Sequence, residues 1–150
     1  MTDSNPNNEP CINICNKLLK GELSAIETYE KAEQRFGDHA DARILTELRQ
    51  SHQQSANRLS DDVVRMGGVP TRESGAWGTF ANAVQSAANL IGEGSALDSL
   101  QRGEEHGISE YKEATTDPNM MPECRAMVLE ELLPRCERNL ALLEGLKQTV

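Results

Sequence analysis

Aromatic side chains are scarce: one Trp, two Tyr and two Phe make up 3% of 150 residues. A core with so few rings must be built from Leu, Ile, Val, Ala and Met, which suits packed helices better than a β-sandwich. Strand signals of useful length and low-complexity tracts are also missing. No apolar run approaches the roughly 18 residues needed to cross a bilayer. Basic charge is in deficit: 15 Lys and Arg stand against 24 Asp and Glu, a formal net charge of −9. A nucleic-acid binder needs a basic patch to displace counterions, so nucleic acid is not an expected partner. Anionic lipid is disfavoured on the same ground, and no membrane partner is expected. Met1 to Pro10 is polar and carries no apolar segment of the secretory type. A disordered tail over residues 1–9 and a cytoplasmic setting are the corresponding expectations.

Cysteine is sparse as well. Cys11, Cys15, Cys124 and Cys136 fall in no CxxC or zinc-ribbon spacing. Reduced, buried thiols are the default reading. Cys11 and Cys15 lie one helical turn apart, so a redox or metal-binding pair is the alternative.

What is present is helical periodicity. Apolar residues make up 37% of the chain, enough for one core, and the length fits a single domain over residues 10–150. Four long helices are expected. The first, Pro10 to Phe36, faces inward with Ile12, Cys15, Leu19, Glu22, Ile26, Tyr29 and Phe36. The second, Ala40 to Met66, does so with Leu45, Leu48, His52, Leu59 and Val63, and stops at Gly67-Gly68-Val69-Pro70. The third, Ser95 to Thr115, turns Leu97, Leu100, Glu104, Ile108 and Tyr111 inward, with Ser95 as N-cap. The fourth, Pro122 to Lys147, uses Leu129, Leu132 or Leu133, Cys136, Leu140, Leu143 and Leu146, with a kink at Pro134. Between the second and third lies a long connection with its own short helix. Its stripe of Trp77, Phe80, Val84 and Ile91 either covers the other helices or forms part of a homodimer interface. A link this long lets the third helix run parallel to the second.

One pattern recurs. Gly21-Glu22-Leu23-Ser24-Ala25-Ile26-Glu27-Thr28-Tyr29 is echoed by Gly103-Glu104-Glu105-His106-Gly107-Ile108-Ser109-Glu110-Tyr111. Each copy places a Glu where the apolar stripe should continue. One helix further on stand His52 and Cys136, 30 and 32 residues after their Glu. These spacings bring Glu22, His52, Glu104 and Cys136 to one height in an up-down arrangement. A buried carboxylate costs several kcal/mol unless paired or neutralised. Three groups can stabilise the layer: a metal ion, the guanidinium of Arg49 one turn before His52, or the phenols of Tyr29 and Tyr111 beside protonated carboxyls.

With its inward Glu followed seven residues later by Tyr, written twice, the chain resembles a ferritin-like four-helix protein. More narrowly it resembles a bacterial family known as domain of unknown function 2383. The carrying segments are Gly21 to Ala32, Gly67 to Pro70, Ser74 to Phe80, Gly103 to Gly107 and Leu132-Leu133-Pro134. The resemblance implies an all-α, ferritin-like four-helix bundle with a long crossover connection carrying an extra short helix. Di-iron members of that superfamily carry Glu-x-x-His on helices two and four. Here helix two has Arg49-Gln50-Ser51-His52, and helix four has Leu133-Pro134-Arg135-Cys136. Of the implied ligands Glu22, His52 and Glu104 remain, and Cys136 can serve a soft metal. Three functions follow as expectations. The first is a non-enzymatic bundle with a degenerate metal site and no cofactor, its polar core built from Arg49, Tyr29 and Tyr111. The alternative is an oxidoreductase or iron-handling protein holding a single iron, manganese or zinc ion on Glu22, His52 and Glu104. A small-ligand or lipid carrier using the space between the bundle and the Trp77 to Ile91 helix is a third.

Overall fold

The computed structural model describes residues 8–148, and every regular element among them is helical. Most of the expected disordered tail lies outside the described residues. Its last two positions do not: Glu9 opens helix α1 (Glu9–Phe36), and Asn8 Nδ2 donates to the Met66 carbonyl at 3.2 Å. Helix α2 (Arg43–Arg65) starts three residues later than the periodicity predicts, because turns occupy 37–42. It closes at Gly67, whose φ of 89° only glycine adopts freely. Helix α3 is Gly78–Ser86, and α4 is Ala96–Thr115. Ser95 caps α4 as expected, its side chain accepting from the Asp98 N–H at 3.3 Å.

The last expected helix is interrupted. It comprises α5 (Pro122–Met127), a π-helical turn over Val128–Leu132, and α6 (Leu133–Gln148). Leu133 N–H donates five residues back, to the Val128 carbonyl. Pro134 follows at once. It lacks an N–H, and its ring would collide with a carbonyl four residues earlier, so a wider turn there relieves the clash. The extra residue in that turn moves everything before it by one position on the helix face. Leu129, expected inside, is therefore 48% exposed, while Val128 and Leu132 are fully buried. Beyond the turn, Cys136 and Leu143 are buried as expected.

Contacts fix the helix directions. Asn8 meets the end of α2 while Glu33 accepts from Thr46 and Arg49 near its start, so α1 and α2 are antiparallel. Tyr111 reaches Glu22 and Tyr29 reaches Glu104, so α1 and α4 are antiparallel too. Hence α2 and α4 run parallel, as the long connection predicts. Cys136 meets Glu104 while Lys147 meets Gln101, so α6 runs antiparallel to α4.

The connection follows α1 along its length. Asn16 holds Val69 and Thr71, Ser24 Oγ accepts from the Trp77 N–H, and Arg35 donates twice to the Ala87 carbonyl. Trp77, Ala81, Val84, Ala87 and Leu90 are buried within the chain. Of the expected stripe, Trp77 and Val84 cover the neighbouring helices, while Phe80 and Ile91 stay half-buried.

Two apolar clusters result. One gathers Cys11, Cys15, Leu19, Leu59, Val63, Met120 and Leu132. The other gathers Ala32, Leu45, Leu48, Trp77, Val84, Leu100 and Leu143. The Trp77 ring lies flat against the backbone of α4 at Gly103, where a Cβ would sit 2.5 Å from a ring carbon. The glycine of the second repeat copy thus makes room for the only tryptophan. Gly103→Ala is expected to destabilise the fold by about 1–3 kcal/mol, as overpacking does. Urea unfolding monitored by Trp fluorescence checks this, with Gly145→Ala as control, since nothing lies within 4 Å of a Cβ there.

Candidate functional site

Between the two clusters lies a layer of polar side chains. Each comes from a helix whose apolar stripe carries it inward: Glu22 and Tyr29 from α1, His52 from α2, Glu104 and Tyr111 from α4, Cys136 from α6. All six are buried. The sequence spacing brings Glu22, His52, Glu104 and Cys136 together at one height.

His52 is the centre. Its Nδ1 lies 2.6 Å from Glu22 Oε2, and its Nε2 lies 2.7 Å from Glu104 Oε2. Each nitrogen faces a carboxylate, which can only accept, so both donate and the ring is an imidazolium. Burial alone would push its pKa down. The charges of Glu104 and Glu22 more than reverse that, and the pKa is pushed up to about 10.

The phenols complete the layer. Tyr111 Oη donates to Glu22 Oε1 at 2.5 Å, and Tyr29 Oη donates to Glu104 Oε2 at 2.5 Å. The pairing is crossed, so the Tyr of each repeat copy serves the Glu of the other. Both tyrosines are held well above the usual phenol pKa, by burial first and then by the carboxylate each one faces. Cys136 Sγ lies 3.4 Å from the remaining oxygen, Glu104 Oε1. Its thiol is pushed up by burial and by the charges of Glu104 and Glu22, so it stays protonated and donates. Every carboxylate oxygen of Glu22 and Glu104 thus has a donor.

The scarce aromatics collect here. Tyr29 stacks on His52 with ring centroids 5.4 Å apart, and Trp77 presents its ring near-perpendicular at 5.5 Å. Phe80 packs on Trp77 at 5.8 Å. A cationic imidazole against such faces gains a further electrostatic contribution.

One expected member is elsewhere. Arg49 does not bridge the carboxylates. Its Nε pairs with Glu33 Oε1 at 2.5 Å, on a partly exposed face of α2. It lies almost a turn before His52, and that offset rotates its long side chain out of the layer. His52 supplies the positive charge assigned to Arg49. His106 and His39 are partly exposed, beside Glu110 and Asp41 respectively. The sequence reading missed Asn139, buried and accepting from Ser51 at 2.9 Å; Ser55, on the inward stripe of α2, accepts from Arg135 at 3.0 Å.

A metal ion needs donors that converge on one point. Here the two carboxylates stand on opposite nitrogens of one ring, and His52 has no lone pair left to offer. Among the described residues, three donor atoms of Cys, His, Asp or Glu gather within 4.8 Å of one another only at Cys11, Cys15 and Cys124. As arranged, Glu22, His52 and Glu104 do not fit a metal. The space beside them, lined by Gly21, Ala25, Trp77 and Gly107 among others, amounts to about 10 Å³. That is about the volume of one water position.

Residues 11–117 match the family described as a domain of unknown function, DUF2383. The chain belongs to this family. No curated protein matches it. The matched span contains Glu22, His52 and Glu104, and ends before Cys124 and Cys136.

The imidazolium makes stability depend on pH with a definite sign. The folded pKa of His52, about 10, is raised above its unfolded value of ~6.5. Its contribution is complete below pH ~6.5 and is lost as pH rises to about 10. The urea midpoint should fall across that window by the equivalent of a few kcal/mol. His52→Gln should be less stable at neutral pH and should lack this slope. Equilibrium unfolding of both proteins across the window is the check.

Proposed function

We propose that this protein is a ferritin-like four-helix bundle in which a closed carboxylate–imidazolium–carboxylate layer takes the place of a metal centre. Its role is non-enzymatic: a helical scaffold that acts through its surface. The fold part of the reading is supported by the directions of α1, α2, α4 and α6. The connection running the full length of α1 supports it as well. The functional part rests on one observation, the engagement of both ring nitrogens of His52 by Glu22 and Glu104. A catalytic or metal-binding imidazole needs a free lone pair or a proton poised near neutral pH. This one has neither. A carrier role is disfavoured by the small space next to Trp77.

The alternative, a single iron, manganese or zinc ion on Glu22, His52 and Glu104, is favoured by the gathering of these three groups in one buried layer. It requires His52 to lose a proton and turn away from one carboxylate. Metal analysis of protein purified without chelator separates the two. The proposal expects no iron or manganese at stoichiometric level, and two ring N–H signals from His52 in ¹⁵N NMR at neutral pH. One equivalent of metal in the native chain, lost in Glu22→Gln, overturns it.

A further inference from the structure

The three thiols that converge lie at the other end of the core, away from His52. Cys11 and Cys15 stand one turn apart on α1, and Cys124 comes from α5. Their sulfurs all lie within 4.8 Å of one another, and the three residues are at most 1% exposed. None forms a disulfide. Two thioethers border the group: Met66 Sδ is 3.7 Å from Cys124 Sγ, and Met120 Sδ is 4.0 Å from Cys11 Sγ. The Met121 N–H donates to Cys11 Sγ at 3.5 Å. A backbone donor on sulfur favours the thiolate, as donors around metal-bound thiolates do.

A second observation points to a missing ligand. Asp62 on α2 is 1% exposed. Its Oδ1 accepts from Arg58 at 3.0 Å and from Arg65 at 2.7 Å. Its Oδ2 is buried with no partner among the described residues. A buried carboxylate oxygen left unsatisfied is costly, and such an atom in a native fold calls for an unseen water or ion. Asp62 stands one turn before Met66 on the same helix face, and Met66 borders Cys124.

We propose that Cys11, Cys15 and Cys124 form a binding site for a thiophilic divalent d¹⁰ cation of the zinc type. Asp62, one turn before Met66 on α2, is its acidic neighbour, and its unpaired oxygen serves the fourth position through a bound water. Thiolate sulfur selects soft and borderline metals, and structural zinc sites commonly use three or four such ligands.

Metal entry forms three metal–sulfur bonds and releases the three thiol protons to solvent. No electrons move.

The site is independent of the His52 layer, and the test keeps them apart. The reduced full-length chain is titrated with Zn²⁺ and separately with Co²⁺, without oxygen, in competition with a chromophoric chelator. One equivalent of each should bind, and the cobalt form should show thiolate-to-metal charge-transfer absorption. Zn²⁺ binding should be lost in Cys15→Ala and Cys124→Ala, weakened about tenfold in Asp62→Asn, and unchanged in Glu22→Gln. If an alanine variant does not fold, as circular dichroism would reveal, the native cobalt spectrum decides alone. Absence of stoichiometric binding by the reduced native chain overturns the proposal. So does a cobalt complex without thiolate charge transfer, or a Zn²⁺ ion lost in Glu22→Gln but kept in Cys124→Ala.

Discussion

Two carboxylates and one imidazole, all buried, share the middle of this protein. Taken singly, each charge would cost several kcal/mol to remove from water. Together they are tolerable because the ring is flat, donates from opposite edges, and meets one carboxylate on each. The layer retains one net negative charge, and the phenols of Tyr29 and Tyr111 spread it over two more hydrogen bonds. Those donors come from four helices, so the layer fixes the relative heights of α1, α2, α4 and α6. Apolar packing above and below tolerates sliding by a few tenths of an ångström. Hydrogen bonds near 2.5–2.7 Å do not.

Much of this was legible in the sequence because period and chemistry pointed the same way. Glu22 and Glu104 interrupt apolar stripes at corresponding places in a repeat, and His52 does the same on α2. Nothing in the linear pattern says which donor a buried acid will choose. Arg49 carries the stronger, permanent charge, yet its position on the helix face sends it to Glu33. That distinction depends on an angle that a one-dimensional pattern resolves poorly. Leu129 was misread for a related reason. A π-helical turn breaks the very period on which the reading rests, and Pro134 signals trouble without saying that it arrives as an inserted residue.

The thiol cluster was half visible. Cys11 and Cys15 show their spacing, but Cys124 joins them across more than a hundred residues with no motif to announce it. Asp62 had a local signal that went unread. Arg58 and Arg65 stand four residues before it and three after, on the same helix face, a placement that lets both reach inward to one carboxylate. Two arginines aimed at one acid indicate that the acid is placed where water does not reach.

The crossed bonds between the repeat copies carry a consequence for how such a chain can be built. A helical hairpin holding only one copy would bury a carboxylate and a phenol facing the wrong way for each other, on one helix and seven residues apart. Two hairpins laid antiparallel exchange these groups and satisfy both. The polar layer is thus a reciprocal lock whose key and keyhole sit on opposite halves of the molecule. A substitution at either Tyr is felt at the Glu of the other half.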